Sequence, residues 1–394
     1  MNNYTKLVFT ILIFCSCFGF VFIPEQTMIL SVPLLLYYTI KDKKWGETFF
    51  SKAIILFYLF ITIGLFTCFY YRGQTPLQTM QTTYWVGFNG ILIYYFMKYK
   101  KLDTYKVENI ISILYLVFCI CYLIQYLIYP FHLFRTLASD DGSRFRMVGQ
   151  LVLSLGFFYE LNCYINNSRK KHLFYSFLGM VIFILLGFRS LLAALIICII
   201  ILLIKRYGFS KKFMKYVVIG GVCAVFIMFL PFTRNTIKAM IERQKTDNFK
   251  NEDYIRIRQL DYYMNDHFKN HTEYVLGSGI PKHGTKYGNS IEVSAENYGS
   301  NVYGWVDWGF LGLSWIIGIP AVMCLILIFL KSIFLKVPQD TIYIQVWYIF
   351  LLLVGFTTIE AFRTGSFIFH GIAIYIIEKR NLLVKKQNKE CIQS

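Results

Sequence analysis

Long apolar stretches separated by short polar segments recur along the whole chain. About twelve of them approach the ~20 apolar residues that a helix needs to cross the hydrocarbon core of a bilayer. They cover 6–23, 27–40, 53–71, 83–98, 109–130, 148–165, 172–188, 190–206, 214–232, 301–330, 341–358 and 366–378. The first stretch continues to Pro24 without a small-residue cleavage site, so we expect a membrane span there and not a signal peptide. The pattern predicts an all-α polytopic membrane protein.

One long polar stretch, residues 233–300, interrupts this pattern between the ninth and tenth apolar stretches. We therefore expect three regions: spans one to nine in 1–232, a large loop with short helices in 233–300, and three further spans with a polar tail in 301–394. Within the loop, apolar residues recur at helical spacing after Ile255, which predicts a short helix carrying Arg256 and Arg258. The segment LGSGIP predicts a glycine turn after that helix.

Composition narrows the class of protein. Of the 394 residues, 56% are hydrophobic and 16% are charged, and the mean hydropathy is +0.51. A single soluble domain cannot bury so much apolar surface. The formal charge of +18 is divided among short clusters between the spans, so we expect no nucleic-acid partner. Cysteines lie mostly inside apolar stretches without metal-ligand spacing, which predicts core packing and no metal site or cofactor.

Basic clusters occupy every second loop, and cytoplasmic loops carry an excess of Lys and Arg. The clusters are Lys41, Lys43 and Lys44; Lys98, Lys100 and Lys101; Arg169, Lys170 and Lys171; Lys205, Arg206, Lys211, Lys212 and Lys215; Lys331 and Lys336; Lys379, Arg380, Lys385 and Lys386. This rule places both termini in the cytoplasm and the large loop outside the membrane.

The opposite set of loops contains isolated arginines and little lysine. They are Arg72, Arg135, Arg144, Arg146, Arg189 and Arg363. The guanidinium keeps its charge at low dielectric and its planar fork of donors matches phosphate oxygens, which suits an anionic, diphosphate-bearing ligand. The alternative for each arginine is snorkelling to lipid headgroups or pairing with a nearby acid. Arg189 lies in a very short turn between apolar stretches, so it should face protein or a water-filled cavity.

Four segments, in this order, resemble the O-antigen ligase and polymerase superfamily, with its Wzy-type repeat-unit polymerases. They are RFRMVGQ at 144–150, GFRSLLAALI at 187–196, a large loop with an Arg-led helix and a GSG turn, and AENYGSNVYGWVDWGFLGL at 295–313. The resemblance implies a GT-C-like fold and a metal-independent glycosyltransferase on the outer face of a bacterial inner membrane. It implies undecaprenyl-diphosphate-linked oligosaccharides as substrates and a chain-length-regulating co-polymerase as a possible partner.

Carried over by motif, the resemblance assigns diphosphate binding to Arg146, Arg189 and Arg258, with Arg256 and Arg144 as neighbours able to substitute. One departure concerns the pair of residues before the chain re-enters the membrane. Ligases of this superfamily are expected to have His-Asn there, whereas this chain has Glu296-Asn297. A carboxylate at this position favours a polymerase.

Glu296 is the first candidate for the base that deprotonates the attacking sugar hydroxyl, because desolvation at the membrane edge would raise its pKa towards neutral pH. The alternative is that Glu296 only pairs with an arginine of the same loop. Secondary candidates are His283, Asn297, Arg363 and Glu360, of which the last two form a possible structural or ligand-orienting pair.

Other functions stay open at this point. A lipid-linked oligosaccharide flippase would also suit about twelve spans, although transporters of that kind usually have two similar halves and the chain shows no internal repeat. A ligase of the same superfamily is a second alternative. A structural assembly factor is a third, and it would tolerate changes at the loop arginines.

Overall fold

The computed structural model describes residues 2–15, 25–42, 46–134, 136–138, 145–147, 150–229, 231–246, 255–298, 303–363 and 365–393. Nearly all of this part of the chain is helical, as the sequence predicts. A single small hairpin occurs within it, made of β1 (Thr136–Ala138) and β2 (Phe145–Met147), which pair antiparallel with Leu137 opposite Arg146.

Helices α1 to α11 precede the large loop. Their bounds are Asn3–Cys15, Val32–Lys41, Phe49–Arg72, Pro76–Met80, Thr83–Phe88, Ile93–Tyr99, Thr104–Ile128, Gln150–Asn167, Lys170–Leu185, Arg189–Tyr207 and Lys211–Phe229. Helices α12 to α15 form the loop, and α16 to α19 follow it. Their bounds are Pro231–Thr246, Ile255–Asp261, His271–Leu276, Lys286–Tyr298, Gly309–Ile317, Ile319–Phe334, Ile342–Gly355 and Phe367–Gln393.

Shorter helical segments connect these helices. They are the 3-10 helices Glu25–Ser31, Asn89–Leu92, Trp305–Trp308, Gln339–Thr341 and Glu360–Phe362, and the π-helix Tyr262–His267.

Three helices are long and apolar enough to cross a membrane, namely α3, α7 and α10, and five shorter apolar helical segments of 10–17 residues accompany them in the described ranges. The chain is therefore a helical protein with membrane-spanning capacity. The full set of about twelve spans stays a prediction.

The predicted spans 83–98 and 301–330 are interrupted in the structure. The stretch 83–98 folds as α5, a 3-10 segment and α6, and a Cβ built on Gly90 there would lie 2.6 Å from the backbone nitrogen of Ile368. The stretch 301–330 is not one helix, because it breaks at Gly318 between α16 and α17. Gly318 has φ +91°, and Pro320 has no N–H to continue the helical bonding.

The long helices share two common ends, which the contacts at the start of α18 define. Lys205 of α10 donates from Nζ to Gln345 Oε1 at 2.9 Å, and Asn162 of α8 donates from Nδ2 to the carbonyl of Asp340 at 2.7 Å. The C-terminal parts of α8 and α10 thus meet the start of α18, and both helices begin at its opposite end. We call the end with Lys205 the lysine end and the opposite one the loop end.

Further contacts extend the lysine end. Arg380 of α19 has Nη1 3.6 Å from Asp340 Oδ2. The hydroxyl of Tyr94 donates to Glu378 Oε2 of α19 at 2.5 Å and lies 3.2 Å from Oγ1 of Thr48, the N-cap of α3. Helix α3 therefore begins at the lysine end, and its last residue lies at the loop end.

Candidate functional site

The middle of the large loop is built onto the broken membrane helix. The N–H groups of Ser278 and Gly279 donate to the carbonyls of Trp315 and Ile316 at 2.9 and 3.0 Å. In an unbroken helix these carbonyls would accept from the residues four positions later, but the helix stops at the break and Pro320 has no N–H. The loop segment replaces the two lost hydrogen bonds, so the break and the loop stabilise each other.

Two glycines allow this contact. Gly277 and Gly318 both have φ +91°. A Cβ on Gly277 would lie 2.5 Å from the nitrogen of Gly318, and a Cβ on Gly318 would lie 2.6 Å from the carbonyl oxygen of Leu276. Any larger residue would separate the loop from the helix break.

Arg72, the last residue of α3, connects the loop to the membrane helices. Its Nε donates to Glu273 Oε1, its Nη2 donates to the carbonyl of His267, and its guanidinium carbon lies 4.9 Å from the centre of the Tyr287 ring. Glu273 is fully buried, and its second oxygen accepts from the N–H of Lys269 at 2.8 Å. The pair of opposite charges is therefore buried together with its hydrogen bonds, a state that loss of either partner strongly destabilises.

His267 lies at the end of the π-helix and is 1% exposed. Its Nε2 lies 2.9 Å from Ser278 Oγ, and its Nδ1 lies 3.0 Å from the Tyr262 hydroxyl. Because the Ser278 hydroxyl donates to the Trp315 carbonyl at 3.1 Å, we assign the ring proton to Nε2, and Nδ1 accepts from Tyr262.

The pKa of His267 is lowered well below its usual value. Burial is the larger cause, and the positive charge of Arg72 is the smaller one. The imidazole is therefore neutral near pH 7 in the docked loop. An unfolded histidine binds a proton near pH 6.5. Since the unfolded state then binds more protons than the folded state, stability of the docked loop falls as the pH drops below that value.

Aromatic rings fill the space between the loop and the helix break. Tyr263 stacks on Trp315, with ring centres 4.0 Å apart and planes inclined by 15°. The hydroxyls of Tyr287 and Tyr303 lie 3.5 and 3.4 Å from the carbonyl of Gly279, to which they donate. Burial raises the pKa of Tyr287, so its hydroxyl stays a neutral donor.

Gln74 holds the segment that follows the glycine turn. It is fully buried, its Nε2 donates to the carbonyl of Ile280 at 2.8 Å, and its Oε1 accepts from the N–H of Lys282 at 2.8 Å and from Thr285 Oγ1 at 3.1 Å. The side chain thus bonds loop backbone on both sides of Pro281. Together with Arg72 it attaches the loop to the residues just after α3.

Helix α13 is attached to the Trp305–Trp308 turn. The buried Gln259 accepts a hydrogen bond from Trp308 Nε1 at 3.2 Å, and α13 continues directly into the π-helix that ends at His267. Arg256 and Arg258 flank Gln259 and are half-buried. Two arginines of the predicted diphosphate site are therefore carried by a helix that is held through Gln259 and through its continuation into the π-helix.

The remaining predicted arginines that the structure describes also lie at the loop end. Arg189 is the exposed first residue of α10 and follows the turn at Gly187. Arg146 lies on β2, just before α8 begins. Arg363 is half-buried, and the segment before it is joined to the Trp305–Trp308 turn by a bond from the N–H of Ile359 to the carbonyl of Val306 at 3.3 Å.

Several predicted groups fall outside the described part of the chain. This holds for Arg144 altogether and for the side chains of Arg146, Glu296, Asn297 and Glu360. The backbone of Glu296 belongs to α15, one turn beyond the exposed Glu292.

His283 occupies an exposed turn before α15. Its Nδ1 lies 3.0 Å from Glu292 Oε1, and both side chains are largely in solvent. An exposed pair of this kind contributes little to stability.

Gln74 and Glu273 were not among the predicted site residues. Arg72 was one of the isolated arginines, and the structure shows for it the alternative role of pairing with an acid, Glu273. For Arg72 the sequence contains a signal, since an arginine ends a 24-residue apolar helix and must find a partner or solvent there. The sequence gives no comparable signal for Gln74 or Glu273, because their partners are about 200 residues away along the chain.

Basic and aromatic side chains form the site. What it can contribute to a reaction is positive charge at fixed positions. Within the described ranges, no group of three or more His, Cys, Asp or Glu side chains is placed to hold a metal ion. No protein-family model and no curated protein matches the chain.

Proposed function

We propose that this chain polymerises undecaprenyl-diphosphate-linked oligosaccharide repeat units into O-antigen or capsular polysaccharide. The observation that carries the proposal is helix α13, which holds Arg256 and Arg258 at the end of the helices where Arg146, Arg189 and Arg363 also lie. Guanidinium groups fixed in advance at a membrane edge suit a diphosphate, because they need no reorganisation when charge develops on it.

In the proposed reaction, the anomeric carbon of the growing glycan loses its bond to the lipid diphosphate. A hydroxyl of the second lipid-linked unit forms the new glycosidic bond, and its proton goes to a base. Arg146, Arg189 and Arg258 stabilise the departing diphosphate, with Arg256 and Arg144 beside them. Glu296 is the proposed base. The enzyme supplies orientation of the two lipid-linked substrates and charge stabilisation, and it uses no metal.

We propose that the protein spans the bacterial inner membrane about twelve times with a GT-C-like arrangement. The lysine end faces the cytoplasm together with both termini, and the loop end faces the periplasm or exterior. Separation of lysine clusters from isolated arginines at opposite ends of the helices supports this orientation. A co-polymerase that sets chain length would associate with the same assembly.

The test is glycan gel analysis of a deletion strain complemented with the wild type, Arg258→Ala or Lys238→Ala. Lys238 is an exposed cation of the neighbouring loop helix α12 and serves as a matched control. We expect the wild type and Lys238→Ala to restore the polymer ladder and Arg258→Ala to leave single repeat units at the surface. Lipid-linked units trapped on the cytoplasmic side of the deletion strain would indicate a flippase. An intact ladder left on its lipid carrier would indicate a ligase, and a full ladder in the Arg258→Ala strain would contradict the diphosphate role.

A further inference from the structure

At the loop end, the donors of Arg72 are directed into the protein. Arg72 is 9% exposed at its side chain, it bonds both Glu273 and the carbonyl of His267, and its plane lies over Tyr287. A guanidinium with these contacts cannot also bind a diphosphate without giving up a buried partner. Its role must therefore differ from that of Arg256 and Arg258.

The position of its two partners along the loop indicates that role. His267 ends the π-helix that follows α13, and Glu273 lies in α14, just before the glycine turn on the helix break. One guanidinium thus fixes the segment after the arginine helix and the segment before the glycine turn to the same point on α3. A shift at this point would move α13 as a unit.

We propose that Arg72 is the positioning residue of the site: through Glu273 and the His267 carbonyl it sets where α13 presents its arginines to the substrate. The inference rests on the proposed function for its effect on polymer synthesis. It also makes a conformational claim that can be measured without any substrate.

The accessibility of the Cys68 thiol measures whether the loop is docked on α3. It lies one turn before Arg72 on α3 and is fully buried, and a Cβ built on Gly279 would lie 2.7 Å from its Sγ. The loop segment therefore covers this thiol. If the loop separates from α3, the thiol becomes accessible from the loop end.

The experiment uses the full chain in membranes with Cys68 as its single cysteine, after confirming that this background restores the ladder. A membrane-impermeant maleimide is added from the outside, and the labelling rate of Cys68 is compared with the glycan ladder. Arg72→Lys keeps the charge but loses the planar fork that directs Nε to Glu273 and Nη2 to the His267 carbonyl. We expect its Cys68 to be labelled more than about tenfold faster than in the parent, since loss of a buried pairing shifts an equilibrium by at least that factor. We expect the ladder to shorten or vanish at an unchanged amount of protein.

Two further variants complete the test. Glu273→Gln keeps the size of the side chain and removes its charge, and we expect the same two effects. Lys282→Ala removes an exposed hydrogen bond from the same loop to Gln81, and we expect labelling and ladder to match the parent.

The labelling rate of Cys68 and the glycan ladder together test the positioning role. Parental labelling in both Arg72→Lys and Glu273→Gln would overturn the positioning role. Faster labelling with a full ladder would show that Arg72 anchors the loop without positioning the site, which also overturns the proposal. Protection of Cys68 in the parent is independent of substrate, so a failure of the proposed function would appear separately, as a deletion strain whose ladder is normal.

Discussion

At the scale of single residues, the arginines of the loop end occupy two different environments. Arg72 is enclosed by a carboxylate, a backbone carbonyl and an aromatic ring, whereas Arg256 and Arg258 are half-buried on the surface of a short helix. The first environment joins two segments of the loop to α3, whereas the second encloses its side chains only in part. A count of arginines in the sequence cannot separate the two, because the distinction depends on partners elsewhere in the chain.

The role of Glu296 is tested by Glu296→Gln. The amide keeps the shape of the side chain but cannot accept the proton of the attacking hydroxyl, and general-base contributions are typically ~10²–10⁴-fold in rate. We therefore expect loss of the ladder at normal membrane levels of the protein. Glu292→Gln is the matched control, since Glu292 lies one turn earlier on α15 and is exposed. A full-length ladder from Glu296→Gln would remove Glu296 as the base.

At the scale of elements, the break between α16 and α17 determines where the loop docks. Gly318 has a backbone conformation that other residues adopt only at a cost of about 1–3 kcal/mol, and a Cβ there would contact the Leu276 carbonyl. We expect Gly318→Ala to lower the melting temperature of the purified protein and to expose Cys68 to maleimide.

The control for that change is Gly220→Ala. Gly220 lies inside α11, with nothing within 4 Å of a built Cβ, and alanine favours a helix interior over glycine by about 1 kcal/mol. We expect this variant to melt at or above the wild-type temperature. Equal melting of the Gly318→Ala protein and the wild type would mean that the helix break does not depend on glycine.

The hydrophobic pattern predicted most helices of the fold but not their interruptions. Helices α3, α7 and α10 agree with predicted spans. An apolar stretch long enough to cross a bilayer satisfies its backbone hydrogen bonds most readily as a helix. The break at Gly318 lies in an equally apolar stretch, so hydropathy does not reveal it. It is stable because Ser278 and Gly279 supply donors from outside the helix, which is a tertiary effect.

The sequence predicted the local elements of the candidate site but not the contacts that join them. The arginine helix after Ile255 and the glycine turn follow from local spacing, and the structure contains both. The attachment of these elements through Arg72, Gln74 and Glu273 joins positions about 200 residues apart. No pattern within one segment contains that information.

At the scale of the whole molecule, a set of basic residues and the arginine-bearing loop lie at opposite ends of one set of helices. Lys205, Lys379 and Arg380 lie at the end where α8, α10 and α19 meet the start of α18, and the loop with its arginines lies at the other end. The alternation across a membrane that the sequence predicted from its loops stays a prediction.

The proposed polymerisation requires only this chain and its lipid-linked repeat units. The most direct measurement places the purified protein in proteoliposomes with undecaprenyl-diphosphate-linked repeat units and follows product length and diphosphate-lipid release over time. We predict that the wild type forms oligomers with one lipid diphosphate released per bond. We also predict that Arg258→Lys slows the reaction by ~10²–10³-fold, the usual effect of losing one preorganised donor. Transfer of repeat units across the bilayer without any increase in glycan length would contradict the polymerase function. Equal rates for the wild type and Arg258→Lys would contradict the role of Arg258.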